Sequence, residues 1–410
     1  MQPVFMKPKI AEELRERYGT PLYVYSQEEI VKNVQEVMNF PNPYGLTPRY
    51  AMKACSTAAI LLLLQERGMW FDASSGFEAE RAIMVGIEGC RISVASQQFP
   101  NNIKYLVEQG VHFTACSLNQ LKQFGNLFPG SNVALRINFG IGSGLHAKTN
   151  VGGPAASFGV WIDAIDTAIE IAEIYQLRIT KLHSHIGSGA ESELWLAASK
   201  AALSLLDKFP DVDTLNLGGG FKVKRHSNDI ADDLQKIGGD ISQLLLEFHE
   251  KSGRKIKLEI EPGAYIIATA GNLLSTIDDI TSTSDYTFLK LDTGMTEILR
   301  PCLYGSQHEI LNLTSRSPTS DLYIIVGHCC ESSDLLTPAP GFPDHLQPRS
   351  LPLSSIGDLI LIEGTGAYCS SMSARNYNSY PISAEVLLKP EATLIRRRQS
   401  MVQIIDNELF

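Results

Sequence analysis

The 410-residue chain has no apolar run able to span a bilayer: the longest, Ala58 to Leu64, is far short of the roughly 20 residues a spanning helix needs. It has no basic segment beyond Arg396-Arg397-Arg398, and its net charge of −10 argues against a nucleic-acid surface. The first residues lack a basic-then-apolar leader pattern, so a cytoplasmic protein without membrane or nucleic-acid partners is expected. Cysteine is scarce, seven in all, with no Cys-x-x-Cys pair, which speaks against a disulfide framework and for reduced thiols. The adjacent Cys329-Cys330 cannot staple a fold usefully. No internal repeat or low-complexity segment occurs. What remains, 44% hydrophobic and 20% charged residues, is ordinary for a globular chain with a real core and room for two or three domains.

Lys9 to Tyr18 has helical periodicity ended by Gly19, Leu22 to Tyr25 reads as a strand, and Ser26 with Glu28 and Glu29 opens the next helix. Strands are then expected at 49–53, 70–73, 91–95, 112–116, 132–138, 178–185, 214–217 and 256–260. The stretches between them include helices at 58–67, 76–84, 103–109, 118–124, 161–175, 195–209 and 230–251. Parallel strands need helical crossovers, so a (β/α)8 barrel is the economical reading, although spacing alone does not separate it from a doubly wound open sheet. After about residue 270, short strands divided by Pro, Gly and Ser predict an all-β domain, with the Pro-rich stretch 315–353 as surface loops. The expected organisation is residues 1–30 packing with the β-domain, a barrel over 31–270 and the β-domain over 271–410.

In a barrel the chemistry sits at the C-terminal ends of the strands. Tyr50-Ala51-Met52-Lys53 is an apolar run ending in one lysine; burial there would make the ammonium costly and leave an amine nucleophile, or the strand simply ends in a solvated lysine. Gly218-Gly219-Gly220 could converge backbone N–H groups on an anion, or be an ordinary tight turn. His185 could stack on a ring or act as an acid, or be a satisfied core histidine. Glu261, before Pro262-Gly263, could hold a protonated heterocyclic nitrogen, or be a turn carboxylate. His183-x-His185 lacks a third ligand at metal spacing, so no metal is expected. Gly140-Ile141-Gly142-Ser143-Gly144 fails the dinucleotide pattern, and Lys148-Thr149 lacks the glycine of a P-loop.

A lysine, a phosphate cradle, a ring-facing histidine and a carboxylate for a ring nitrogen together match the needs of pyridoxal 5'-phosphate. The chain resembles the barrel-type (fold type III) pyridoxal-phosphate decarboxylases, of alanine racemase/ornithine decarboxylase-like fold, and among them the diaminopimelate decarboxylases. The likeness covers nearly the whole chain: Tyr50–Ala54, Leu182–Gly189, Leu217–Phe221, Glu261–Gly263, Arg300-Pro301 with Tyr304-Gly305, Cys330-Glu331-Ser332 with Asp334, and Gly366-Ala367-Tyr368 with Met372, Tyr377 and Asn378. Lys148 to Gly153, before Ser157-Phe158-Gly159, is similar to one branch of that family. The resemblance implies that Lys53 carries the cofactor and that His185 stacks on its ring. Ser188, Gly218, Gly219, Gly220 and Tyr368 would hold the phosphate, Glu261 would pair with the ring nitrogen, and Asp72 would support this side. It also implies that Arg300 and Tyr304, with Tyr368, bind the substrate. Cys330 and Glu331 would come from the partner of a homodimer with shared sites, and Cys330 or Lys53 would return a proton to Cα. The implied reaction converts meso-diaminopimelate to L-lysine and CO2.

Three departures bear on the substrate. Ala264 follows Glu261-Pro262-Gly263 where the family usually has arginine, residues 327–328 are Gly-His rather than Gly-Pro, and the Met372–Tyr377 segment is one residue longer and contains Arg375. Arg375 is therefore a candidate to replace the missing guanidinium. The alternatives are decarboxylation of ornithine, lysine, arginine or a D-amino acid on the same fold, racemisation, or a non-catalytic cofactor-binding homologue.

Overall fold

The structure, a computed structural model, describes residues 5–142, 152–189 and 192–409, so Ser143-Gly144 and Lys148–Val151 lie outside it. The chain divides into two compact units: residues 32–222 with 230–266, and residues 1–31 with 223–229 and 267–410. The second contains the N-terminal strand β1 (Leu22–Ser26), whose end caps the following helix as Ser26 Oγ accepts the Glu29 N–H at 3.3 Å.

The first unit is built on β2 (Leu46–Ala51), β3 (Trp70–Ala73), β4 (Ile92–Val94), β5 (His112–Ala115), β6 (Asn132–Asn138), β7 (Arg178–His183), β8 (Thr214–Asn216) and β9 (Lys257–Ile260). Every neighbouring pair is parallel, β9 pairs with β2, and β5 pairs with β6, so the eight strands close into a barrel rather than an open sheet. The layer between the strands and their crossover helices is apolar, where Leu215, Leu217 and Leu258 lie with Leu203, Ile241 and Leu245. Side chains start the crossover helices where the sequence places polar caps: Ser75 accepts the Glu78 N–H and Ser117 the Gln120 N–H. One helix begins later than its periodicity suggests, at Leu234 rather than Ile230. Asp233 is the reason, because its carboxylate accepts the N–H groups of Gln235 and Lys236 at 2.9 and 3.1 Å.

In the other unit, β1 lies between β10 (Gly271–Ser282), antiparallel, and β16 (Ala384–Leu388), parallel. Leu22 and Val24 pack with Met6, Leu14, Leu274, Leu359, Leu361 and Val386 in one apolar cluster. Between them in sequence come β11 (Thr287–Leu291), β12 (Ile310–Asn312), β13 (Ser320–Val326), β14 (Arg349–Pro352) and β15 (Leu359–Ile362). The Pro-rich stretch 315–353 is thus more ordered than its composition suggests. β13 pairs parallel with β11 and antiparallel with β14, and a hairpin joins 338–339 to 342–346. Proline is tolerated because Pro352 stands at the end of an outer strand, where a missing N–H costs least. Among the described residues no helix is long and apolar enough to cross a membrane.

Candidate active site

All barrel strands run the same way, so the residues just past their C-terminal ends share one mouth. Lys53 lies in a single helical turn, Met52–Ala54, immediately after β2. Tyr50 Oη donates to the Cys55 carbonyl at 3.0 Å and closes this turn. A Cβ on Gly263 would come within 3.1 Å of the Ala51 and Ala54 Cβ atoms, which fixes the small residues on either side of the lysine. Met52 and Ala54 are buried but Lys53 itself is exposed. Burial therefore does not set its chemistry, contrary to the sequence-based expectation; the apolar run ends one residue before the lysine. The structure surrounds it with charge instead: Lys53 acts electrostatically on Asp72, Glu78, Glu261 and His185.

The two carboxyls at the heart of this mouth are pushed apart. Burial raises Asp72 well above its ordinary value, the Glu261 charge adds to this and Lys53 opposes it, while Ser93 Oγ donates to Asp72 Oδ1 at 3.2 Å. Burial would raise Glu261 as well, but His183, His185 and Lys53 outweigh it and hold that carboxyl below the usual range. Asn216 Nδ2 donates to Glu261 Oε1 at 2.6 Å. His183 Nε2 stands 3.4 Å from Oε2 without hydrogen-bond alignment, so Oε2 keeps accepting capacity. Two acids with opposed environments mark a site in which one stays ionised.

His185 is held neutral. Burial lowers it well below its ordinary value, reinforced by Lys53 and Arg136, and its Nδ1 accepts the Gly219 N–H at 3.1 Å. That bond puts the ring proton on Nε2. The glycine triplet works differently from the N–H cradle expected. Gly218 N–H is engaged by Asn216 Oδ1 at 2.8 Å and Gly219 N–H by His185, which leaves Gly220 as the triplet's candidate anion donor. The glycines are required by crowding: a Cβ would meet His185 Nδ1 at 2.5 Å from Gly218, the Glu261 carbonyl at 2.1 Å from Gly219, and the Gly187 carbonyl at 1.9 Å from Gly220. Gly218 and Gly220 also have positive φ, 70° and 110°. Ser188 is exposed on the turn that Gly189 N–H ties to the Gly220 carbonyl at 2.7 Å.

Lys53, Asp72, His185, Ser188, Gly218, Gly219, Gly220 and Glu261 all belong to the barrel unit. Arg300, Tyr304, Cys330, Glu331, Tyr368 and Arg375 belong to the sheet unit. There, Asp334 organises the loop before it, accepting the N–H groups of Met295 at 2.6 Å and Cys329 at 2.9 Å. Cys330 is exposed, its N–H held by Asn378 Oδ1 at 2.9 Å, and Glu331 accepts from Tyr377 Oη at 3.3 Å. His328 stacks flat on Tyr380, ring centroids 3.6 Å apart, and burial pushes it down to about 4. Arg300 Nη2 donates to Ser306 Oγ at 3.3 Å and lies over the Tyr304 ring. The Arg375 guanidinium donates to the Ser370 carbonyl. Tyr368 holds a positive φ of 57°, a strained conformation for a tyrosine.

Asn216 escaped the sequence reading as a functional residue. Its signal was its place, a buried amide at a strand end directly before the glycines. A family profile, "Pyridoxal-dependent decarboxylase, pyridoxal binding domain", matches residues 27–268. The chain belongs to this family of pyridoxal-dependent decarboxylases. It is 30% identical to a diaminopimelate decarboxylase of Escherichia coli K12, over 96% of this chain and 94% of that one. A crystal structure of a diaminopimelate decarboxylase superposes with a TM-score of 0.91 at 30% identity, covering 100% of both chains. The Helicobacter pylori diaminopimelate decarboxylase in complex with L-lysine gives 0.86 at 27% identity, covering 97% of this chain and 98% of that one. The residues present fit pyridoxal phosphate: an ionised carboxylate with a lone pair to offer, a neutral imidazole and an accessible lysine amine converge at one mouth.

Proposed function

We propose that this protein removes one carboxyl group from meso-diaminopimelate, releasing L-lysine and CO2. The observation that carries the reading is the ionised Glu261 anchored by Asn216 beside neutral His185, in a chain similar to diaminopimelate decarboxylases along its whole length. Pyridoxal phosphate, when bound, supplies an electron sink for the pair released as the Cα–carboxylate bond breaks. Lys53 would hold the cofactor covalently through its ε-nitrogen, and Glu261 Oε2 would accept the ring N–H and keep that proton in place. Uncharged His185 would present its ring face without repelling a cationic heterocycle. Gly220, Ser188 and Tyr368 would hold the phosphate, with Gly218 and Gly219 giving the backbone room, and Asp72 would support the Lys53 side. Arg300, Tyr304, Tyr368, Glu331 and Arg375 would bind the rest of the substrate. Cys330 would return a proton to Cα, with Lys53 as the other donor; a placed donor contributes about 10²–10⁴-fold.

We also infer a homodimer in which Cys330 and Glu331 serve the partner's site, and a cytoplasmic setting. The exposure of Cys330 and the absence of disulfides among the described residues support these two readings. The test is incubation of the holoenzyme with meso-diaminopimelate, following CO2 and lysine, beside a panel of ornithine, lysine, arginine and D-amino acids. Ala264 favours the panel. Turnover of a panel member in preference to meso-diaminopimelate would replace the proposal.

A further inference from the structure

Arg225 lies five residues after Gly220 in sequence, yet its segment, 223–229, clusters with the sheet unit. The side chain is only 8% exposed. Its Nη1 donates to the carbonyls of Gly364 at 2.5 Å and Ala367 at 3.2 Å, and its stem packs on Gly364, where an added Cβ would come within 3.1 Å of the Arg225 Cβ. One edge of the guanidinium is thus engaged by the turn leading into Tyr368. Nε and Nη2 donate to nothing among the described residues.

Arg300 is a second cation in the same surroundings, and its Nε is buried without a hydrogen-bond partner. No ion pair joins either guanidinium to a carboxylate among the described residues. Burial, then the charge of Arg300, pushes Arg225 down to about 9, so it stays charged at neutral pH. His308 adds no compensation: burial and the two arginines keep it neutral, with Nδ1 against the Glu363 carbonyl at 2.8 Å. Asp229 opposes the lowering of Arg225 as a carboxylate whose contact is with the Arg225 backbone N–H, and a buried guanidinium beside a second cation gains from an anion that joins the two. The planar fork of arginine matches a carboxylate.

We propose that Arg225 and Arg300 together hold a carboxylate of the amino-acid substrate. This rests on the decarboxylase reading and names the residue that favours a diamino dicarboxylic acid over ornithine or lysine. Arg375, exposed and bonded to Ser370, is less well placed for a buried carboxylate.

The test uses holoenzyme with Arg225→Gln and Arg225→Lys. KM for meso-diaminopimelate should rise about 10- to 100-fold, the worth of a charge-assisted contact, with kcat within about threefold. Cofactor affinity and absorption should not change. L-Lysine, which keeps one carboxylate, should bind more weakly by the same factor, whereas 1,5-diaminopentane, which has none, should bind as before. An unchanged KM overturns the proposal, and so does a fall in kcat together with cofactor affinity, which would make Arg225 a support for the Tyr368 turn. If the unaltered protein yields no lysine from meso-diaminopimelate, the proposed function fails by itself. The comparison of lysine with diaminopentane then still decides on Arg225: equal effects on both, or on neither, refute its carboxylate role.

Discussion

Asn216 makes three contacts with one amide. Its Nδ2 donates to Glu261 Oε1 at 2.6 Å and to Glu259 Oε2 at 3.2 Å, and its Oδ1 accepts the Gly218 N–H at 2.8 Å. Asn216→Ala removes a donor to two carboxylates, each such bond contributing about 1.5–3 kcal/mol, and strands a buried N–H at about 1–3 kcal/mol. Because the contacts are coupled, we expect about 3–5 kcal/mol rather than the full sum. Asn216→Asp keeps an acceptor for Gly218 but sets a third carboxyl against Glu259 and Glu261. It should therefore be nearly as destabilising at pH 8 and recover as the pH falls and the added acid protonates. The three tryptophans, Trp70, Trp161 and Trp195, all lie in the barrel unit, so urea unfolding followed by their fluorescence reports the part in question. Apo protein isolates folding from cofactor binding; a parallel titration should show weaker cofactor affinity in both variants. A loss below about 1 kcal/mol in Asn216→Ala, with unchanged cofactor affinity, would refute the shared-amide account.

Borohydride reduction of holoenzyme should leave a pyridoxyl mass on the peptide containing Lys53, and Lys53→Ala should carry none; a label elsewhere would displace Lys53 from its role. Gly219→Ala places a Cβ 2.1 Å from the Glu261 carbonyl, backbone against backbone, and should cost about 3 kcal/mol or more. Gly239→Ala, in the 234–252 helix with nothing within 4 Å, should instead gain about 0.5–1 kcal/mol, so equal midpoints would contradict the packing. His185 and His308 are lowered on folding, so the unfolded chain binds more protons: their stability is complete above pH ~6.5 and is lost as the pH falls toward their folded values. The apo urea midpoint should drop between pH 7.5 and 5.5, less steeply in His185→Gln; an identical slope would remove His185 from the acid response.

The barrel was legible because strand runs alternate with helical ones; Ser26 caps where its sequence position suggests, and the structure adds Ser75 and Ser117 as caps of two helices expected from periodicity alone. Closure was not, since β5 meeting β6 and β9 meeting β2 are pairings that no periodicity encodes. Lys53 stood out in the sequence by its place at the end of an apolar run, but the structure does not bury it: burial stops at Met52 and resumes at Ala54. The glycine triplet was read as donors; counting acceptors needs the neighbouring loops, and only the structure shows Asn216 and His185 taking two of the three N–H groups. Arg225 was invisible for a topological reason: a segment inside the barrel's sequence folds with the other unit.

Glu259 and Glu261 show why the site cannot be reduced to its cofactor contacts. Two apart at the end of one strand, they point the same way. Glu259 is neutralised by Arg49 at 2.9 Å and Lys181 at 2.6 Å, both substantially buried, and these cations outweigh burial to keep it ionised. With that charge compensated below, Asn216 can bridge to Glu261 without setting two bare anions against each other. Removing Arg49 or Lys181 would leave Glu259 a buried carboxyl with only one cation, and Glu259 would take up a proton more readily. Glu261 is held ionised by its own surroundings, His183 and Lys53 among them, so its charge would persist while Asn216 lost one of its two ionised acceptors. The charge below the mouth is therefore set by residues whose separation in sequence, 49 to 181 to 259, hides that they act on one carboxylate.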